Sequence, residues 1–367
     1  MDSSGGPLDV DLAGIAETVR AAGVAGAGGA GFPSYVKWTD LEDIDHLMVN
    51  HHESEPCYYA DKWLGRERAD ALGRFVGGLL ETTLDAVVVG TKAKYLEEGW
   101  LDPLIAATDA TVCGPEDLPV DVDESAGVTF ACTPDVYTYS EERVLLRVAA
   151  GVGIGEDLPT DHGWIVHNTE TLWNIYRATA DGAPVTRKYV HVDGSTPSHR
   201  CLDVPIGTTA STLLEAAGLE DDTVSAGQVL ADGGPGWCYE IDEAPGEFGV
   251  RKRTNAVLVL DEDLVRDHTQ EDGQIDVLAA RDWGPNDGRP HETEPARITP
   301  DQVRIPRITN AAYTGLVAPS EPAVAVGDEV SIGDVIATPG DGISIPQHAS
   351  IDGTITGVTD THIVIEE

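Results

Sequence analysis

Residues 8–182 alternate short runs of β-branched residues with helical repeats, and that alternation restricts the fold more than any other feature of the chain. LDVDLAGIAETVRAA at 8–22 places Leu8, Leu12, Ile15 and Val19 at helical spacing. DIDHLMVN at 43–50 has the length and apolar content of a buried strand, and YADKWLGRERADALGRFVGGLLETT at 59–83 has a helical period. The pattern then repeats: strands are predicted at 85–92 and 127–137, and helices at 140–151 and 167–182. A valine run such as Val87–Val89, too short for a helix and carrying no polar alternation, suits a strand covered on both faces. Strands and helices in this order predict an α/β layer.

After Gly182 the pattern changes. Residues 186–204 predict a β-hairpin around Asp193-Gly194, TLLEAAGL a short helix, and 226–260 further strands, together a small α+β unit. Residues 261–300 are polar, Pro-bearing and aperiodic, and read as a linker or surface insert. From 301 onward, short strands punctuated by Gly-Asp and Asp-Gly predict an all-β module. The expected domains are therefore 1–184, 185–260 and 301–367, with 261–300 between the last two.

Charge and cysteine usage exclude several functions. Lys+Arg is 23 and Asp+Glu is 64, so 23 − 64 gives a net charge of −41, spread along the whole chain. Such a polyanion repels nucleic-acid backbones and anionic lipid. Only six of the basic residues are Lys, a balance suited to a halophilic host with a high-salt cytosol. The five cysteines, at 57, 113, 132, 201 and 238, contain no CxxC pair and give no zinc or iron–sulfur signature. MDSSGGPLDVDLAG has neither the basic nor the apolar region of a signal peptide, and no apolar run is long enough to span a bilayer. The expected location is cytoplasmic, with any docking to a membrane complex made through a partner.

Chemistry concentrates in four places. The glycine cluster Gly23, Gly26, Gly28, Gly29 and Gly31, followed by Phe32 and Lys37, can bring backbone amides close to an anion. It lacks the GK[ST] of a phosphate loop, and a helix precedes it where a dinucleotide fingerprint requires a strand. Taken alone, Glu53 and Glu55 would be solvated loop charges, Glu141 and Glu142 helix-dipole residues, and Tyr137 core. Their order in one chain gives them weight: GAGGAGFPSYVKW at 26–38, NHHESEPCYYAD at 50–61, YTYSEE at 137–142 and HNTETL at 167–172.

In that order the four motifs resemble the flavoprotein family of the 51 kDa subunit of respiratory complex I. Nearer relatives are the C subunit of the Rnf electron-transport complex and the flavin-dependent cobalamin reductase of propanediol utilisation. ADGGPGW and RKRTNAVLVL at 231–260 resemble these proteins' soluble-ligand-binding β-grasp (SLBB) domain, and VRIPRITN through SIDGTITGV their barrel-sandwich hybrid module. The resemblance implies an FMN site. Its glycine loop falls on Gly26, Gly28, Gly29, Ala30, Gly31 and Phe32, and its lysine on Lys37. Its middle motif falls on Asn50, Glu53, Ser54 and Glu55, and its nucleotide face on Tyr137, Glu141 and Glu142. The positions near the flavin phosphate fall on His167, Asn168 and Thr171.

The departures also carry implications. The cobalamin reductase holds its iron–sulfur cysteines between the β-grasp and C-terminal modules, where this chain has the cysteine-free 261–300, so no cluster is expected in this chain. His51 and His52 follow the motif's Asn, Ser140 replaces a glycine, and no aromatic pair for adenine is evident at 143–166. The resemblance thus implies a flavin oxidoreductase with NADH or NADPH as donor, no catalytic side chain beyond the flavin, and an iron–sulfur or corrinoid protein as acceptor. Alternatives are a cobalamin reductase and a non-catalytic scaffold of an electron-transfer complex. No Lys follows Lys252, which excludes a lipoyl or biotinyl arm, and His46, His51 and His52 diverge too much to suggest zinc.

Overall fold

The structure, a computed structural model, describes residues 6–122, 126–219, 224–281, 283, 294–310 and 315–367. Contacts group the chain into two compact units: one takes residues up to Val19, 34–54 and 59–183, the other 20–33, 55–58 and 184–367.

The first unit follows α1 (Ile15–Ala21) with an open α/β arrangement. It runs β1 (His46–Asn50), α2 (Ala60–Glu67), α3 (Ala69–Thr82), β2 (Ala86–Lys92), α4 (Ala93–Glu97), α5 (Asp102–Thr108), β3 (Thr111–Cys113), β4 (Gly127–Thr133), α6 (Glu142–Ala150), β5 (Trp164–Asn168) and α7 (Thr169–Asp181). The sheet order is β3-β4-β2-β1-β5 and every neighbouring pair is parallel. All seven residues of β2 are buried, as a strand covered on both faces requires. Two helices carry side-chain caps: Glu141 accepts from the Val144 amide at the start of α6, and Asn168 from the Thr171 amide at the start of α7. Gly151 and Gly182 close the same two helices in the left-handed conformation.

Strand order reverses beside β1. The chain leaves β1 for β2 on one side and returns from β4 to β5 on the other. Open parallel sheets bind ligands in the crevice outside the carboxyl ends at such a reversal.

The second unit holds two β assemblies. A six-stranded mixed sheet contains β6 (Arg187–Gly194), β7 (Arg200–Pro205), β8 (Gln228–Gly234), β9 (Trp237–Glu240), β10 (Ala256–Asp261) and β11 (Ala296–Arg297), in the order β11-β7-β6-β10-β8-β9. Helix α8 (Ala210–Ala216) packs Leu213 and Leu214 against it, and α9 (Glu262–His268) follows β10. The C-terminal module has two small sheets. One is β12 (Gln302–Pro306), β18 (His362–Glu366), β17 (Gly353–Val358) and β14 (Glu329–Val330); the other is β13 (Glu321–Pro322), β15 (Val335–Thr338) and β16 (Gln347–His348). Their shared core is almost entirely aliphatic, with Ile305, Ile336, Ile355, Ile363 and Ile365 at its centre.

Three expectations change. The hairpin turn lies at 195–199, because Gly194 still pairs with Val259 of β10 and Asp193 reaches across the turn to His199. The helix predicted over 59–83 is two helices, broken at Arg68, whose guanidinium stacks over Trp63 and Trp173. Residues 261–300 are more than a linker. They contain α9 and β11, and Val265, Ile275, Val277 and Trp283 are buried in a core cluster with Leu258 and Leu260; the remainder, 282 and 284–293, lies outside the described residues.

Candidate cofactor site

The predicted positions of the first unit gather at the carboxyl edge of its sheet. Asn50 ends β1, Asn168 ends β5, and the two are direct partners in the parallel register. They therefore flank the strand-order reversal. The side chain of Asn50 donates to the Ser140 carbonyl at 2.7 Å, tying the Tyr137–Ser140 turn to β1. The Asn168 side chain accepts from the Thr171 amide at 3.1 Å and donates to Asp61. Thr171 is buried in the first turn of α7.

Past Asn50, the chain buries three titratable residues in a row. His51 Nδ1 pairs with Thr169 Oγ1 at 2.8 Å, and His52 Nε2 with Thr133 Oγ1 at 3.0 Å. Burial drives the His51 pKa down to about 3 and, with help from Lys92, that of His52 to about 4, so both rings are neutral at pH 7. Glu53 accepts the Asp61 amide on Oε1 at 2.8 Å, and burial raises its carboxyl pKa against the pull of Lys62 and Lys92. Glu53 Oε2, His52 Nδ1 and His51 Nε2 are buried and have no hydrogen-bond partner among the described residues. Ser54 is half-buried. Lys92, at the carboxyl end of β2, is 4% exposed and pairs with Asp135 at 2.6 Å, and its pKa falls through burial.

Lys37 occupies the side of β5. Its ammonium donates to Glu142 and to the Val166 carbonyl, both at 2.9 Å, leaving one of three N–H donors uncommitted to those bonds. Beneath it His167 Nε2 accepts from the Trp38 indole at 2.9 Å and stacks on that ring. Burial and the neighbouring Lys37 hold the His167 pKa well below its ordinary value. His167 is therefore a neutral acceptor within a structural pair, and Glu141 serves as the α6 cap. Tyr137 is half-buried at the start of the turn that Asn50 holds.

Glu55 and the glycine loop belong to the second unit. Glu55 is buried and accepts the Gly236 amide, in the β8–β9 turn, at 3.0 Å. The glycine loop is a tight excursion: Ala25 and Pro33 bridge its base, Gly26 donates to the Phe32 carbonyl and Gly31 to the Gly26 carbonyl, both at 2.8 Å. Gly29 and Gly31 adopt positive φ, which a glycine accepts without strain. At the tip Gly28 and Ala30 are exposed, and among the described residues the amides of Gly28, Gly29 and Ala30 have no acceptor.

Each unit carries, by itself, features that suit a polar ligand. Three adjacent unengaged amides at a glycine tip form the kind of concavity that receives a phosphate. At the sheet edge, an unpartnered Glu53 oxygen and His52 nitrogen are buried groups that a polar ring system would satisfy. The sequence reading missed Asp61 and Lys92. Asp61 accepts from both the Asn168 side chain and the Glu170 amide, joining α2 to α7. Its signal was its position at the end of the NHHESEPCYYAD motif. For Lys92 the signal was a lysine closing an otherwise apolar strand in a chain with six lysines.

Comparison with known proteins places these features in context. Residues 19–177, which contain all seventeen predicted site positions, match the Nuo51 FMN-binding domain, and 301–367 match the RnfC barrel sandwich hybrid domain. The cobalamin reductase PduS of Citrobacter freundii is 34% identical over 207 residues, covering 56% of this chain and 41% of that protein. The C subunit of the ion-translocating oxidoreductase complex of Pseudomonas aeruginosa is 31% identical over 212 residues, covering 56% of this chain and 25% of its own length. The chain thus spans less than half the length of both. An NAD+-reducing [NiFe]-hydrogenase structure superposes with a TM-score of 0.51 at 19% identity, over 71% of this chain and 50% of that one, which bears on the fold alone. Both domain models and both curated relatives match the families that the four motifs resemble, and among the described residues no helix is long and apolar enough to cross a membrane.

Proposed function

We propose that this chain is an FMN-binding electron-transfer subunit that oxidises NADH or NADPH and passes the electrons to a partner iron–sulfur or corrinoid protein. The observation that carries this reading is the sheet edge at the β1/β5 reversal: Asn50 and Asn168 paired in register beside a buried Glu53 with an open oxygen, within a segment that matches an FMN-binding domain. FMN, when bound, takes two electrons together from a nicotinamide and releases them one at a time. The protein's part is to bind and orient. The glycine tip offers amides to a phosphate. Lys37, in the first unit, keeps one N–H donor for a polar ligand. Glu53, whose carboxyl pKa burial raises, holds an open oxygen toward a polar ligand. Asn50, Asn168 and Asp61 fix the backbone around it. In this reading residues 1–184 form the FMN/NAD domain, 185–260 an SLBB-type β-grasp and 301–367 the barrel-sandwich module, with the five dispersed cysteines holding no cluster and the electrons leaving to a separate protein.

The test is spectroscopic. Chain reconstituted with FMN should show flavin absorbance near about 450 nm, and anaerobic NADH or NADPH should bleach it. Retained flavin that neither nucleotide bleaches would refute the donor assignment, and a chain that takes up no FMN would favour the scaffold reading. The likeness to PduS supports a second reading, cobalamin reductase. Reoxidation of the bleached flavin by added cob(III)alamin, at a rate above that of free flavin, would select it.

A further inference from the structure

The glycine loop is anchored at both ends by side chains far downstream in the same compact unit. At its entry, the buried Lys252 donates to the Gly23 carbonyl at 2.8 Å and to the Pro346 carbonyl at 3.2 Å. Arg20 donates to the Ser344 carbonyl at 3.2 Å, and His348 hydrogen-bonds the Ala21 backbone. At its exit, the Asn310 side chain donates to the Ala30 carbonyl at 2.8 Å, and Asn310, Thr309 and Arg253 close around Gly31. Gly23 has φ +67°, and a Cβ there would lie 2.8 Å from the Pro346 carbonyl as well as 2.6 Å from the Lys252 ammonium, so both the backbone and this contact favour glycine.

We propose that Lys252 and Asn310 are positioning residues that clamp the glycine loop in its cofactor-ready shape, making the β-grasp and the C-terminal module working parts of the cofactor site. The inference rests on the FMN reading for its purpose, but the clamp itself is a property of the chain without cofactor. The loop has few internal bonds and leaves its tip amides unengaged, so an anchor at each end is what holds those amides in place before a ligand arrives. Burying an ammonium without a carboxylate partner is costly, and burial lowers the Lys252 pKa to about 7. The deprotonated amine still has two N–H groups, as many as the two carbonyls need, so the anchor persists in either state.

The experiment compares Asn310→Ala and Lys252→Met with Ser320→Ala, which removes a partly buried hydrogen bond, to the Arg307 carbonyl, in the C-terminal module that does not touch the loop. Hydrogen exchange is read on peptides covering 24–33 of the full-length chain without FMN, and FMN affinity by fluorescence titration. The clamp predicts at least about fivefold faster exchange in 24–33 for Asn310→Ala, with FMN bound about fivefold more weakly, and neither change in Ser320→Ala. Exchange in 24–33 equal to that of the unmodified chain, or raised as much by Ser320→Ala, would overturn it. Should Lys252→Met fail to fold, Asn310→Ala decides alone. A chain that binds no FMN yet shows the exchange difference would retain the clamp and refute the FMN reading.

Discussion

The carboxyl edge of the parallel sheet and the core of the C-terminal module are both buried, yet they are filled with opposite chemistry. The module packs aliphatic side chains against one another. The sheet edge buries His51, His52, Glu53, Asp61, Lys92 and His167, several with a polar atom left unpaired. Apolar burial stabilises a fold directly, whereas burying titratable groups costs free energy unless every group is partnered. The contrast marks the module's core as scaffold and the sheet edge as a place where buried polar groups cost stability.

The largest expected effect falls on the scaffold. Ile365 is fully buried in β18, between β12 and β17, and Ile365→Ala should lower unfolding free energy by about 4 kcal/mol in urea titrations. Flavin affinity of the folded fraction should change little. A loss under about 1 kcal/mol would mean the module does not need its aliphatic core.

Asp61→Ala should come next, at about 3 kcal/mol, since it strands the Asn168 amide and the Glu170 N–H without their acceptor. Unlike the isoleucine variant, it should weaken flavin binding out of proportion to stability. Equal losses in both would erase the distinction between the two regions.

A smaller effect is expected in acid. The folded His51 pKa, about 3, lies below the unfolded value of 6.5, so its contribution is intact above pH 6.5 and lost as pH falls toward 3. Between pH 6.5 and 5 that loss is about 2 kcal/mol. His51→Gln should flatten the stability profile by that amount, while Ile365→Ala should shift the profile down without changing its slope. A His51→Gln profile as steep as that of the unmodified chain would place the acid sensitivity elsewhere.

How much of this could be read from sequence differs between the same two regions. The strands of the parallel sheet were visible because a strand buried on both faces needs an unbroken apolar run, as in Val87–Val89. The helices 142–150 and 169–181 were visible by their period, but their caps, Glu141 and Asn168, fall inside the predicted spans 140–151 and 167–182. Helices α4 and α5 and the three-residue β3 went unread, being too short to show a period. The packed stretch after β10 read as a linker because its few core residues, Ile275, Val277 and Trp283, have no regular spacing. At the site, the motifs located Asn50 and Glu53, but the clamp was invisible: Lys252 and Asn310 act on partners 229 and 280 residues away, a pairing that only the fold creates.

The central claim is that the chain binds one flavin mononucleotide and that the glycine tip receives its phosphate. Its most direct test is an equilibrium titration of the full chain with FMN, following flavin fluorescence, for the unmodified protein and for Gly29→Val. Gly29 holds φ +102°, which valine cannot adopt without strain. Saturable one-to-one binding that falls at least about tenfold in Gly29→Val is the predicted result; absence of binding, or equal affinity in both proteins, would contradict it.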